Sequence, residues 1–555
     1  MEIPCVFHEA HLMRQLHKFH GGVHSPQHKQ ESTARPIAAA PLPTRLVVPM
    51  HQHIGNRAKP LVQVGDTVLK GQMIGQANGY VSCAVHAPTS GVVTAIEMAT
   101  VPHPSGLPDL CITIAPDGAE RWVERTPLDY RAMNPSELRN RLRDLGLAGL
   151  GGAVFPSHAK LNPGKQAKVP TLILNGAECE PWITCDDMLM RERAAEIVAG
   201  AKIMQHMLGS DQVLIGIEDN KPEAIAAMRA ACAGTAFEVV AVPTIYPGGG
   251  AKQLTKVLLG KEPPAGGRST DIGVQVFNIA TSYSLARAVL HGEPLISRIV
   301  TVTGNVERPQ NFEVLLGTPV KDLVALAGKP RSDTQGYIMG GPMMGFTLPA
   351  DHAPVVKATN CLIASSPALF PPPPPALPCI RCTQCAQACP VGLQPQDLYW
   401  FARGREFGKA QEYDLFDCIE CGCCDYVCPS HIPLVQYYRF AKSEIWARER
   451  EKNQADVARE RHEFRETRLE RAEKERAEKL AAKTQGSKTP ASGDTDAKQA
   501  AIQAAIERAK LKRAGVVPQN VENLPTARLK EIEEIEVRRI KLKEAMEKQN
   551  ETRPD

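Results

Sequence analysis

The sequence predicts a multidomain α/β protein, and three observations carry that prediction. Residues 45–115 break into short apolar runs separated by Gly-Asp, Lys-Gly and Ser-Gly turn signals, the pattern of an all-β unit. Residues 135–290 alternate apolar strands with amphipathic helices, the pattern of a mainly parallel sheet with helices outside it. Nine of the 16 cysteines crowd between Cys379 and Cys428, which marks a separate module. A chain of 555 residues suggests about four domains at roughly 150 residues each. An apolar fraction of 43% is enough to give them cores.

Charge and hydropathy exclude several classes. The net charge is only +4, which does not suit a protein that coats nucleic acid, and no nucleic-acid partner is expected. Residues 441–555 carry 27 Lys and Arg against 23 Asp and Glu, which accounts for the whole +4, so residues 1–440 are formally neutral. The N-terminal stretch lacks the apolar core of a secretory signal. The two longest uncharged stretches, 71–96 and 358–380, hold four glycines and seven prolines respectively, so neither suits a helix in lipid. The chain is expected in a reducing compartment, reaching a membrane only through partners.

Taken in order, residues 1–35 form an N-terminal segment rich in histidine (His8, His11, His17, His20, His24, His28), read as scattered surface or packed side chains. Residues 36–120 form a β-sandwich scaffold. The run V-G-D-x-V-x-x-G-Q-x-I-G followed by A-P-x-x-G-x-V resembles lipoyl and biotinyl carrier domains. Tyr80 stands where that resemblance places the modified lysine, and no lysine occurs between Lys70 and Arg121, so carrier chemistry is not expected. Residues 130–292 form a Rossmann-like α/β domain with strands at 171–175, 212–218, 237–243 and 274–280. One helix is expected from Asp187 to Leu208, with the stripe Met190, Ala194, Ile197, Ala201, Met204 and Leu208 facing the core and Gly209 as its stop. A second starts at Pro222. Residues 295–348 look like a β-grasp unit of the soluble-ligand-binding type, expected to pack rather than bind. Residues 366–378 are a stiff Pro-rich linker, including Pro371 to Pro375.

Residues 379–440 carry the strongest motif. Cys379-x2-Cys382-x2-Cys385-x3-Cys389-Pro390 is repeated as Cys418-x2-Cys421-x2-Cys424-x3-Cys428-Pro429. This is the bacterial ferredoxin run for [4Fe–4S] clusters, in which the fourth cysteine serves the other cluster. The expected quartets are Cys379, Cys382, Cys385 with Cys428, and Cys418, Cys421, Cys424 with Cys389. Cys423 falls outside the spacing and is read as packing. Zinc commonly takes two separated C-x2-C pairs rather than two complete runs, and disulfides do not suit the inferred compartment. The intervening DLYWFARGREFGKAQEY reads as a helical insertion, so the module is a helical two-[4Fe–4S] ferredoxin.

A Gly-rich run, Gly146 to Pro156, precedes Lys160, and Asn175-Gly-Ala-Glu178-Cys179-Glu180-Pro181 follows the first strong strand. Loops of this kind let backbone N–H groups approach a phosphate or flavin edge, and polar groups after a parallel strand lie where open α/β sheets bind ligands. With the Tyr246-to-Gly260 segment and Asn278, this order resembles the NADH- and FMN-binding flavoprotein subunit of respiratory complex I. The whole stretch 20–440, including GGVHSPQHK, NGAECEPWITCDD and CIECGCCDYVCPSHIPLVQYYR, resembles the C-subunit family of Rnf/Rsx ion-translocating electron transport complexes.

The resemblance implies non-covalent FMN held by Gly149, Gly151, Gly152, Phe155, Lys160, Asn175, Asn278 and Thr281. It implies catalytic acids at Glu178 and Glu180, NADH as substrate, and electrons passed between flavin and clusters. Its implied partners are integral membrane and iron–sulfur subunits of one complex. Its implied place is peripheral, on the cytoplasmic face of the bacterial inner membrane. The chain departs from the complex I pattern at Leu150, Val154, Ala177, Gly250 and Ala251. Two other readings are a soluble NADH-dependent flavin/iron–sulfur reductase of the corrinoid-reductase type, and a cluster-bearing scaffold without an active nucleotide site.

Residues 441–555 form a charged helical or disordered tail, polar nearly all round. A flexible break is expected at 485–495. Narrow apolar stripes follow at Ala501, Ile502, Ala505, Ile506, Ala509 and at Leu529, Ile532, Ile535.

Overall fold

A computed structural model describes residues 14–164, 167–486, 495–514 and 535–540. It divides into two compact units, residues 1–452 and 453–555. The first unit begins with two small antiparallel sheets. One pairs Leu46–Pro49, Pro108–Pro116, Gly91–Thr100 and Thr67–Val68; the other pairs Lys59–Pro60, Met73–Gln76 and Val85–His86. Alternating residues of these strands, among them Leu46, Val48, Val68, Ile74, Val85, Val93, Ile112 and Ile114, meet in one apolar core.

A four-stranded parallel sheet follows, in the spatial order Glu238–Val242, Gln212–Glu218, Thr171–Gly176, Val274–Asn278. Its strands read as continuous apolar runs because helices cover both faces. The chain leaves the Thr171–Gly176 strand toward one side for two strands, then returns to pair Val274–Asn278 on the other side. The crevice between those two strand ends is therefore the topological switch point, where such sheets take their ligands.

The helix expected from Asp187 to Leu208 is in fact two, Cys185–Glu192 and Ala194–Leu208, broken at Arg193. Each has its own partner. Arg191 pairs with Asp187 and Glu223, tying the first helix to Pro222–Ala231, while Glu192 accepts from the Ile37 amide. The second packs on Ile279–His291 so closely that a Cβ on Gly200 would lie 1.9 Å from the Ser282 carbonyl oxygen. Of the expected stripe, Met190, Ile197, Ala201 and Met204 are buried and Ala194 and Leu208 are half-buried.

A six-stranded mixed sheet comes next, in the order Ala38–Ala39, Gln310–Leu315, Ser297–Gly304, Cys361–Ser365, Gly336–Met339, Phe346–Thr347. The Val320–Leu326 helix packs against it. Two of its strands, Ala38–Ala39 and Cys361–Ser365, come from outside the segment 295–348. Periodicity could not reveal this, because both join through long-range pairing.

The cysteine module is helical. Gln384–Ala388 and Cys423–Tyr426 are short helices inside the two runs, and Pro395–Arg403 and Phe407–Glu412 form the insertion between them. The start of the Leu434–Gly486 helix closes the module's core with Leu434, Val435, Tyr438, Ala441 and Ile445.

In the second unit the helix runs on to Gly486 with its described side chains almost wholly exposed, Phe464 and Leu469 included. Pairs such as His462–Glu466 and Arg471–Glu475 lace its surface. The Thr495–Ala514 helix follows, with Ile502 and Ile506 exposed. Of the second stripe, Leu529 and Ile532 lie outside the described residues, as do residues 487–494 of the expected break. No helix among the described residues is long and apolar enough to cross a membrane.

Candidate flavin crevice and iron–sulfur centres

The crevice is built from the carboxyl ends of two parallel strands. Asn175 and Asn278 sit in register across them. Asn175 donates from Nδ2 to the Gly249 carbonyl (2.7 Å) and accepts from the Ala177 amide (3.0 Å). Asn278 caps the Ile279–His291 helix by accepting from the Ala280 amide (2.9 Å). Its Nδ2 donates to the Asp186 carboxylate (2.5 Å).

The Gly-rich loop folds over this point as a tight hairpin. Gly149 donates to the Phe155 carbonyl (2.8 Å), and the Leu150 amide donates to the Thr281 hydroxyl (2.9 Å). A Cβ on Gly151 would lie 3.0 Å from the Asn278 Cβ, so glycine is what lets the loop approach the strand end. Gly152 takes a φ of +101° with open space beside it. Lys160 follows with its Nζ 4.7 Å from the Phe277 ring centre, and burial pulls its pKa down to about 8. All eight expected flavin-holding residues thus lie on one loop, two strand ends, the end of the short Ser157–Lys160 helix and the start of the Ile279–His291 helix around the switch point. A glycine loop that lets backbone approach closely, a helix N-terminus and a lysine suit the phosphate and ring edge of FMN.

The two expected catalytic acids are placed differently from each other. The Glu178 carboxylate is buried and accepts from the Asp186 amide (2.8 Å), the Asp187 amide (3.3 Å) and the Cys185 thiol (3.4 Å), so it caps the Cys185–Glu192 helix. Burial raises its pKa against the pull of Lys29 and Lys221. Neighbouring Asp186 is pushed up to about 7, by burial first and then by Glu178. Glu180 instead accepts from the Met343 (2.8 Å) and Met344 (3.1 Å) amides of the mixed-sheet unit, and burial raises its pKa.

Sequence reasoning missed the residue that holds this acidic loop. Lys29 is 8% exposed and donates to three carbonyls, those of Glu178 (2.7 Å), Glu180 (2.9 Å) and Ile183 (2.7 Å). It closes GGVHSPQHK, a segment in which the histidines are the more conspicuous residues. Of the histidines in residues 1–35, His20 meets the Cys389 carbonyl at 2.8 Å through Nδ1 and His28 stacks on Trp182 at 4.2 Å; His8 and His11 lie outside the described residues. Gly250 is the N-cap position of the Ala251–Leu259 helix and Ala251 is exposed in its first turn.

The cysteine module holds two cavities. One is lined by Cys379, Cys382, Cys385 and Cys428, and the other by Cys389, Cys418, Cys421 and Cys424, with Cys423 beside them. The fourth cysteine of each run has crossed to the other cavity, as the ferredoxin spacing requires. The two runs repeat one backbone shape. Arg381 and Thr383 have φ of 56° and 61°, and Glu420 and Gly422 have 56° and 77°. These left-handed turns bring the Arg381 amide to the Cys379 sulfur and the Glu420 amide to the Cys418 sulfur, both at 3.4 Å. Amides aimed at sulfur suit thiolate ligands of a cluster. Every cysteine among the described residues is free of disulfides. The surroundings differ: Cys382 is exposed, whereas Cys389, Cys421 and Cys424 are buried. Cys423, read from the sequence as packing, is fully buried at the edge of the second cavity, its sulfur 3.9 Å from the Tyr246 carbonyl oxygen.

Comparisons with known proteins agree with this geometry. Residues 17–119 match the family model for the RnfC barrel sandwich hybrid domain and residues 142–287 the Nuo51 FMN-binding domain. Residues 299–347 match the SLBB domain and residues 378–432 the 4Fe-4S dicluster domain. The C subunit of the ion-translocating oxidoreductase complex of Serratia proteamaculans (strain 568) is 49% identical over 499 residues, which is 89% of this chain and 70% of that one. The protein of the same name from Pseudomonas aeruginosa PAO1 is 48% identical over 510 residues, 90% of this chain and 66% of that one. Among solved structures, an NAD+-reducing [NiFe]-hydrogenase in the H2-reduced state aligns with a TM-score of 0.40 at 20% identity, over 58% of this chain and 63% of that one, a likeness too weak to argue from. Identity at this level across nine-tenths of the sequence, with all four domain matches in order, means that the chain belongs to the RnfC family, the C subunits of ion-translocating oxidoreductase complexes.

Proposed function

We propose that this protein is the electron-input subunit of a membrane-associated, ion-translocating oxidoreductase complex. In this reading it accepts electrons from NADH and passes them to integral membrane and iron–sulfur subunits at the cytoplasmic face of the inner membrane. FMN, when bound, would supply the conversion of hydride pairs into single electrons, and two [4Fe–4S] clusters would carry those electrons one at a time.

The observation that carries this reading is the meeting of a switch-point crevice with a two-cavity cysteine module inside one unit. Gly149, Gly151, Gly152, Phe155, Lys160, Asn175, Asn278 and Thr281 would hold the flavin and orient it. Glu178 and Glu180, on one loop that Lys29 braces, would set the electrostatics of the nicotinamide approach. The cavity of Cys389, Cys418, Cys421 and Cys424 lies against the flavin-binding domain through Tyr246, so its cluster would take electrons first. The quartet with exposed Cys382 would hand them on to a partner. The relatives' names favour this reading over the soluble reductase of the corrinoid-reductase type.

The test is metal and flavin analysis of the reconstituted chain during anaerobic NADH titration. About eight irons and one FMN per chain are expected from the ligand count, with flavin bleaching followed by cluster reduction. A chain with this loading that NADH leaves fully oxidised would reduce the protein to a scaffold.

A further inference from the structure

Tyr246 is fully buried where three parts of the chain meet: the N-terminal strap at Val23, the flavin-binding domain, and the second cysteine run. Its backbone exchanges hydrogen bonds with Val23, N–H to carbonyl in both directions, at 3.0 and 2.8 Å. Its hydroxyl crosses to the other module and donates to the Cys421 carbonyl at 2.6 Å. The strap adds two further ties there: the Gly22 amide donates to the Ala388 carbonyl (3.0 Å), and His20 meets the Cys389 carbonyl (2.8 Å). Tyr246 reaches the ligand loop with its side chain from the flavin-binding domain's own Tyr246-to-Gly260 segment.

We propose that Tyr246 is a positioning residue for the second cluster, its hydroxyl fixing the Cys421 carbonyl and thereby setting the reduction potential of the group held by Cys389, Cys418, Cys421 and Cys424. This rests on the two-cluster reading above. Cluster potentials respond to the hydrogen bonds, peptide dipoles and solvent exclusion around their ligands. The Cys421 carbonyl presents its negative end in a buried site beside a ligand. With the hydroxyl donating, that charge is partly compensated; without it, the uncompensated dipole disfavours the extra negative charge that reduction brings. The potential of this cluster should therefore fall when the hydroxyl is removed, while the quartet of Cys379, Cys382, Cys385 and Cys428, whose Cys382 carbonyl accepts from the Thr383 hydroxyl (2.7 Å), keeps that bond and should not respond.

The test compares the parent full-length chain, Tyr246→Phe and Val23→Ala, each reconstituted anaerobically, by iron content and by redox titration followed with electron paramagnetic resonance. Tyr246→Phe should keep the parent's iron and shift one signal to lower potential by about tenfold in its reduction equilibrium, about 59 mV for one electron. The same shift should appear in a Cys382→Ser background, where only the second quartet is complete. Val23→Ala loosens the same core but keeps the hydroxyl, and should leave the potential unchanged. Parent iron with unmoved potentials in Tyr246→Phe overturns the inference and leaves the two-cluster reading standing. An equal shift in Val23→Ala also overturns it, because packing would then be the cause. A parent chain that takes up only one cluster overturns both.

Discussion

Replacing Lys29 with methionine tests whether the loop carrying Glu178 and Glu180 is held from outside itself. Methionine keeps much of the length and apolar bulk but takes the donor away from three carbonyls at once. Two of those bonds, to Glu178 and Ile183, are buried; the Glu178 carbonyl keeps a longer bond from Lys221 (3.4 Å), so Ile183 is the buried acceptor left unpaired, at a cost of about 1–3 kcal/mol. Part of that loss is offset because a buried ammonium no longer has to be stripped of water. A net local destabilisation of about 1–2 kcal/mol remains. At about 1.4 kcal/mol per tenfold, amide exchange in peptides covering 178–184 should accelerate roughly 5- to 30-fold. Hydrogen–deuterium exchange read by mass spectrometry measures this directly, since the Trp182 and Thr184 amides are hydrogen-bonded and hence protected in the parent. FMN affinity should fall in parallel, while the iron content stays that of the parent. Parent-like exchange in 178–184 would refute the bracing role, whatever happened to activity.

Three other outcomes are expected. Cys428→Ser should abolish the same cluster signal as Cys379→Ser, and Cys389→Ser the same one as Cys418→Ser; loss of paired signals by run instead would refute the crossed quartets. Gly151→Val should weaken FMN binding at least about tenfold in a fluorescence titration, because its Cβ would press on Asn278; unchanged affinity would remove the loop from the flavin site. Asp186 is protonated in the fold up to about pH 7 but only to its ordinary 3.8 when unfolded. Between those values the unfolded chain binds fewer protons, so stability should fall as pH rises from about 4 to 7. Asp186→Asn should flatten that slope and melt higher than the parent at pH 8, and an unchanged slope from pH 5 to 8 would count against a raised Asp186.

Local signals were read well where local chemistry decides the structure. The Gln212–Glu218 strand and the Pro222 helix start coincide with the expected bounds because an apolar run and an N-terminal proline act on their own residues. The Arg193 break was not legible. The apolar stripe of the sequence continues through it, and the break reflects two different packing partners that periodicity cannot name. Lys29 was overlooked for a related reason: a lysine beside histidines reads as surface until the carbonyls it serves, 149 to 154 residues away, are folded onto it.

By itself the sequence determined which atoms are available for redox chemistry. Two C-x2-C-x2-C-x3-C-P runs specify thiolate ligands because the loop that wraps a cluster is a few residues long and needs nothing distant to form its turns. Only the tertiary structure decided how those atoms are coupled to the rest of the chain. The register of Asn175 with Asn278, the Lys29 ammonium on the Glu178 loop, and the Tyr246 hydroxyl on a carbonyl 175 residues away all depend on how sheets and modules pack. Packing follows from burial summed over the whole chain, and no short window of sequence contains that sum.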